Sequence, residues 1–342
     1  LIFLNTKFLF GVKVGPMKTL LLILATQAVF CSAASAAKKE AVPAMPSDIQ
    51  LNIWDDFKTY ENTENSQTAT DKGIYGEDNR RLVSELDSGE ELKEMSRAVL
   101  AQVPRWRVTE EDKTSYTIAT KNLEKGMNFC PDEKFASLPL VSSCSAFLIG
   151  EDLLLTAGHC LKDKFDCQKN FWVLDYDDEL GFSAGVPKVK IDKEKVVTCD
   201  KLISIQENSK FDYALMKINR KVSDRKPLTI RKLGKVSSDA NLAVIGHPMG
   251  LPKIIAGEAK IRTNHLPYTF LTNADTFSGN SGSPVINMET HQVEGILIRG
   301  DSDYQMDLDL GCNRAYHCSN NECKGETVMR TTELPFKFFP RF

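Results

Sequence analysis

Three short stretches of this 342-residue chain hold residue types that do chemistry when brought together. In order they are Leu155-Thr156-Ala157-Gly158-His159-Cys160, Phe211-Asp212-Tyr213-Ala214-Leu215-Met216 and Thr276-Phe277-Ser278-Gly279-Asn280-Ser281-Gly282-Ser283-Pro284. A serine hydroxyl is a poor nucleophile at neutral pH and gains strength from an adjacent base. A histidine can be that base, and a carboxylate can hold the imidazole in one tautomer. Each stretch alone also fits a plain structural role: a packed histidine, a turn residue opening a strand, a Gly/Ser turn.

Taken together, and in the order His, Asp, Ser, the three stretches resemble the chymotrypsin-fold serine proteases. Gly279-Asn280-Ser281-Gly282-Ser283-Pro284 and Gly246-His247-Pro248-Met249-Gly250-Leu251-Pro252 resemble, more narrowly, the bacterial glutamyl endopeptidase-like branch. The resemblance runs over residues 125–310. It implies an all-β fold of two antiparallel barrels, His159 and Asp212 in the first and Ser281 in the second. It implies that His159 takes the Ser281 proton and returns it to the leaving amine, while Asp212 orients the imidazole. Backbone N–H groups of Gly279 and Ser281 would form the oxyanion hole, and Gly282 would let the chain pass close behind the nucleophile. The reaction is then hydrolysis of peptide bonds through an acyl-enzyme, with no cofactor and no metal, on a protein or peptide substrate. The rival is a chain of the same fold that has lost catalysis and kept the groove for binding. An α/β-hydrolase esterase is disfavoured because no strand–elbow–helix sequence surrounds Ser281.

The same resemblance addresses specificity. The residue six before the nucleophile, Asp275, is the candidate pocket floor, where a carboxylate would favour Arg or Lys; alternatively it turns away to satisfy backbone N–H groups. Glutamyl endopeptidases place a histidine on the strand after the nucleophile, and here Leu297 or Ile298 stands there. Strict glutamate preference is therefore not expected. Arg299 is a further candidate for contacting substrate, or a solvated strand end. Asn280 precedes the nucleophile where trypsin-like zymogens carry Asp, so activation by an ion pair between that residue and a new N-terminus is not expected. The segment Ile74-Tyr75-Gly76-Glu77-Asp78-Asn79-Arg80 resembles the start of mature glutamyl endopeptidases. His247 is read as a loop residue, and His265, His291 and His317 carry no motif.

The elements that must position these residues are short. Branched or aromatic runs such as Ala146-Phe147-Leu148-Ile149, Phe171-Trp172-Val173-Leu174 and Gly295-Ile296-Leu297-Ile298 alternate with Gly, Pro, Asn and Asp clusters. That pattern predicts many antiparallel strands in a barrel or sandwich. Ahead of them a partly helical leader is expected. Ser88 and Glu91 have capping-box spacing, and Leu92, Met95 and Val99 repeat at three and four residues before Pro104, which predicts a helix over 88–103. The expected division is upstream residues plus signal peptide at 1–36, leader at 37–120 and protease domain at 121–342, with barrel one about 121–225 and barrel two about 226–342.

Composition sets the class. Hydrophobic residues make up 42% and charged residues 26%, as in globular proteins. A net charge of -3 gives no basic footprint for nucleic acid. Met17, Lys18, the apolar run Leu20–Phe30 and Ala34-Ser35-Ala36 read as a secretory signal with its start at Met17. Phe30 before Cys31 is too large for a lipoprotein signal. Its removal leaves 40 basic against 46 acidic residues and eight cysteines, the signature of a disulfide framework in an oxidising compartment. A secreted or periplasmic monomer with no membrane span in the mature chain is expected. The resemblance implies a Cys144–Cys160 bridge, worth about 3 kcal/mol for a loop of that size. Cys167 with Cys199 is a second expected pair. Cys312, His317, Cys318 and Cys323 could be read as a zinc site, but the absence of a C-x-x-C pair favours a disulfide-stapled loop. No phosphate-binding glycine loop or EF-hand pattern is present.

Overall fold

A computed structural model describes residues 73–161, 165–182, 185–300 and 303–335. The expected signal sequence with Cys31, and residues 37–72 of the expected leader, lie outside the described residues. The described chain opens with two short strands, β1 (Ile74–Tyr75) and β2 (Arg80–Leu82), and a one-and-a-half-turn helix, α1 (Glu91–Ser96). It continues into β3 (Val99–Pro104). Strands β4 (Cys144–Gly150), β5 (Leu153–Thr156), β6 (Asn170–Val173), β7 (Val196–Glu207) and β8 (Asp212–Ile218) follow. With β3 they close a six-stranded antiparallel barrel in the order β7-β8-β5-β4-β3-β6.

The second barrel is built from β9 (Asn241–Gly246), β10 (Ile254–Thr263), β11 (Thr269–Thr272), β12 (Pro284–Asn287) and β13 (Val293–Arg299). A two-residue strand, β14 (His317–Cys318), pairs with β1, and β15 (Glu326–Arg330) completes the barrel. Its order is β9-β12-β13-β15-β11-β10, closed by pairing of β10 with β9, and β2 is added outside on β10. The chain is thus all-β with two antiparallel six-stranded barrels, the architecture expected from its sequence. Closure leaves few unpaired strand edges, which is how such folds avoid edge-to-edge association.

The leader differs from expectation. The helix predicted over 88–103 is confined to Glu91–Ser96, with Glu90 rather than Ser88 at its N-cap. Leu92 and Met95 are its buried face, as the spacing implied, but Val99 already belongs to β3. Residues 99–103 are all buried, and their backbone pairs with β4 on one side and β6 on the other. A strand covered on both faces reads as a continuous apolar run, which periodicity alone does not separate from a helix. Pairing across more than forty residues decided the matter. Barrel one therefore starts before residue 121, and residues 80–104, placed in the leader by sequence, supply strands to both barrels.

Four disulfides staple the described chain: Cys130–Cys312, Cys144–Cys160, Cys167–Cys199 and Cys318–Cys323. Cys312, Cys318 and Cys323 are thereby consumed as thiols, so the zinc reading of that cluster falls. Among the described residues no helix is long and apolar enough to cross a membrane.

Candidate active site

Strand β5 is wholly buried and pairs with β8 through Ala214↔Thr156 and Leu215↔Leu155. Its continuation turns sharply at Gly158–Cys160, and that turn delivers His159 to the mouth of β8. Asp212, the first residue of β8, is fully buried. It receives two hydrogen bonds from one residue. The His159 backbone N–H donates to Oδ1 at 3.0 Å, and the ring Nδ1–H donates to Oδ2 at 2.9 Å. Two-point attachment fixes the ring's orientation and places the proton on Nδ1, which leaves Nε2 as the basic nitrogen. Burial acts to raise the Asp212 pKa, but the bonds and charge from His159, with the charge of Arg299, hold it below the usual carboxylate range. The Asp212 backbone N–H reaches Met329 Sδ on β15 at 3.3 Å, so the acid is also tied to barrel two.

Ser281 sits on the loop between β11 and β12. Gly279 and Gly282 flank it at φ +88° and +87°, a region that residues with a side chain rarely adopt. The loop is anchored to barrel one by Ser145 of β4. Its N–H donates to Ser281 O at 2.8 Å, and its hydroxyl donates to Gly279 O at 2.9 Å while accepting the His247 N–H. Ser145 adjoins Cys144, and Cys144 is bridged to Cys160 beside His159. Cys160 Sγ lies 3.6 Å from Ser281 O. The bridge and Ser145 thus bring the serine loop against the histidine turn. Neither Gly279 nor Ser281 has an acceptor for its backbone N–H among the described residues. Two uncommitted N–H groups beside a serine can bind an oxyanion. Ser145 was not singled out from sequence. Only its contacts across 134 residues reveal its part, and no motif marks it.

Asp275 is buried, and its Oδ1 accepts the Tyr75 N–H at 2.7 Å. Burial pushes its pKa up to about 6. Oδ1 thus satisfies a backbone N–H, as in the second of its two sequence readings. Leu297 packs in the interior of barrel two with Phe270 and Val328, and Ile298 packs in the larger apolar cluster. Both are spent on core rather than on a polar contact. Arg299 is 59% exposed, with Nε 4.0 Å from Asp212 Oδ2, so it stands over the carboxylate of the His159 pair. Asn280 is buried within the loop, its carbonyl accepting the Ser283 N–H.

His247 is fully buried at the back of this loop. Nδ1–H donates to Leu251 O at 3.1 Å, the ring stacks on Tyr176, and Nε2 has no partner among the described residues. Burial, aided by the Lys253 charge, lowers its pKa to about 3. Below about pH 6.5 the unfolded chain binds a proton here that the folded chain refuses, so stability falls as the pH falls. Urea unfolding at pH 6.5 and 5.0 should show the wild type losing about 2 kcal/mol relative to His247→Asn. A constant difference between the two proteins would place the acid sensitivity elsewhere.

Residues 144–296 match the family model of the trypsin-like peptidase domain. The chain carries a trypsin-like peptidase domain. A sequence search of curated proteins finds no match. Among solved structures, the chain is similar to a Glu endopeptidase at 14% identity and a TM-score of 0.43, covering 78% of this chain and 96% of that one. It is similar to the VesB protease of Vibrio cholerae at 13% identity and a TM-score of 0.42, over 78% and 66% of the two chains. The inactive form of the Rv3671c protease of M. tuberculosis H37Rv aligns at 13% identity and a TM-score of 0.37, over 70% and 86%. The matched region of the trypsin-like peptidase domain begins at β4 and ends in β13, so it encloses His159, Asp212 and Ser281.

Proposed function

We propose that this trypsin-like peptidase domain is an active, exported serine endopeptidase with His159, Asp212 and Ser281 as its triad. The observation that carries the reading is the double hydrogen bond from His159 to the buried Asp212 carboxylate. A carboxylate bonded to both the backbone and the ring of one histidine fixes that ring in the orientation and tautomer that proton transfer from a serine needs. Nε2 takes the Ser281 proton as Oγ attacks the scissile carbonyl. The oxyanion that forms is held by the Gly279 and Ser281 N–H groups. The imidazolium, stabilised by Asp212, then protonates the leaving amine. Water repeats the sequence in reverse on the acyl-enzyme, and the serine is restored. Four disulfides support an oxidising compartment, secreted or periplasmic.

Labelling with a fluorophosphonate tests the reading. The secreted protein should react at Ser281, and Ser281→Ala should not. Absence of labelling in both leader-intact and trimmed protein would instead support a chain that uses the same groove only for binding.

A further inference from the structure

Met249 is buried and has a left-handed backbone, φ +52°, which a residue with a side chain adopts rarely. The turn that contains it lies against the serine loop. A Cβ built on Gly279 would meet His247 O at 2.5 Å and the Met249 and Gly250 nitrogens at 3.1 Å. The Met249 N–H donates to Ser278 O. The N–H of Ser278 itself donates to Asp303 Oδ2 at 2.8 Å. Asp303 is 2% exposed, and its carbonyl accepts the Tyr316 N–H, which ties it to the segment entering β14. Both polar backbone groups of Ser278 are thus held, each by a different segment of the chain.

These bonds decide the orientation of one peptide unit. Residues 277–280 form a turn closed by the Asn280 N–H on Phe277 O at 3.0 Å. Gly279, the third residue, has φ +88° while Ser278 is not left-handed, which is the type II form. Types I and II differ by a half-turn of the central unit, here the Ser278 C=O with the Gly279 N–H. A trans peptide unit is planar, so its oxygen and its N–H point in opposite directions. With the oxygen held on Met249, the Gly279 N–H faces away from that turn and is left for a ligand. The type I form would aim a carbonyl where an oxyanion needs a donor. We infer, on the proposed function above, that Met249 and Asp303 are positioning residues that hold the oxyanion hole in its donor form. Met249 acts through its backbone N–H and Asp303 through its carboxylate.

A peptide aldehyde reads the hole directly. Ser281 Oγ adds to the aldehyde carbon, the hydroxyl proton passes to His159, and the former carbonyl oxygen becomes the oxyanion. The sequence comes from the best-cleaved member of a peptide library varied at the cleaved residue. The aldehyde's inhibition constant and the KM of the matching amide do not depend on how much of a variant folds. Asp303→Ala in the full secreted chain should weaken the aldehyde about 100-fold with KM within about threefold. Asp303→Asn keeps an acceptor for the Ser278 N–H and should stay within about fivefold of the wild type on both. Met249→Ile, β-branched, should weaken the aldehyde about tenfold, whereas Met249→Gly suits the left-handed backbone and should restore it. Should Asp303→Ala yield no folded protein, the Met249 pair decides. Equal losses in Asp303→Asn and Asp303→Ala, or aldehyde and substrate weakening together, would overturn the assignment and leave the protease reading intact. So would an unaltered aldehyde constant in Asp303→Ala or Met249→Ile. A wild type that neither labels with fluorophosphonate nor cleaves any library peptide would remove the protease reading itself, and this inference with it.

Discussion

Asp212→Asn should cut kcat by about ten-thousandfold with the fold and KM nearly unchanged. The reason lies in the two bonds that Asp212 accepts. One oxygen holds the His159 backbone N–H and the other holds the ring Nδ1–H. Asparagine keeps one acceptor and replaces the other with an NH2 group. With its oxygen on the backbone N–H, its amide must face Nδ1 as a donor. The ring then shifts its proton to Nε2, and the nitrogen that should accept the Ser281 proton already carries one. Nothing else at the site need move, because the backbone bond persists. Single-turnover kinetics with an activated ester would separate acylation from binding. A variant within about tenfold of the wild type would show that Asp212 only shapes the turn.

The second large effect is on the fold. Gly282→Ala should cost about 3 kcal/mol or more and abolish fluorophosphonate labelling in the fraction that folds. Gly282 has φ +87°, and a Cβ built there would lie on the Ser145 carbonyl oxygen and the Thr156 hydroxyl. Neither neighbour can withdraw cheaply. Ser145 anchors the serine loop, and the Thr156 hydroxyl donates to Ser145 O at 2.6 Å inside barrel one. Relief would have to come from moving the loop, which carries Ser281 and both oxyanion donors away from His159. Urea unfolding of the purified variant measures the first part, and labelling measures the second. A loss below about 1 kcal/mol would mean that the loop adapts to a side chain.

The candidate site could be named from sequence because the stretches that carry it are local. The His159, Asp212 and Ser281 stretches are each only six to nine residues long, and it is the three in order, through the family resemblance, that single them out. The pairing of Cys144 with Cys160 is implied by the family resemblance, whereas the other six cysteines leave their connectivity open in sequence; the structure contains Cys144–Cys160 and the expected Cys167–Cys199. Other parts depend on who lies opposite. Val99–Val103 has a helix-compatible spacing and became a strand because β4 and β6 offered ladders on both sides. Asp275 was open between pocket floor and backbone anchor, and the N–H of Tyr75, 200 residues earlier, took one of its oxygens.

Ser145 shows where sequence reading stops. No motif surrounds it, and its contact with the serine loop is made across 134 residues. By itself, then, the sequence determined the fold class, the order of the His159, Asp212 and Ser281 stretches and the disulfide-rich character of the chain. The all-β pattern and the cysteine number are carried by neighbours in the chain, and the family resemblance carried by the three stretches implies the two barrels and the His-Asp-Ser order. Tertiary structure alone decided which strand closed barrel one, where the Asp275 and Arg299 side chains went and which hydroxyl anchored the serine loop. A barrel brings distant segments within hydrogen-bonding distance, and the partner a buried polar group finds there is a property of that closure rather than of its own stretch of chain.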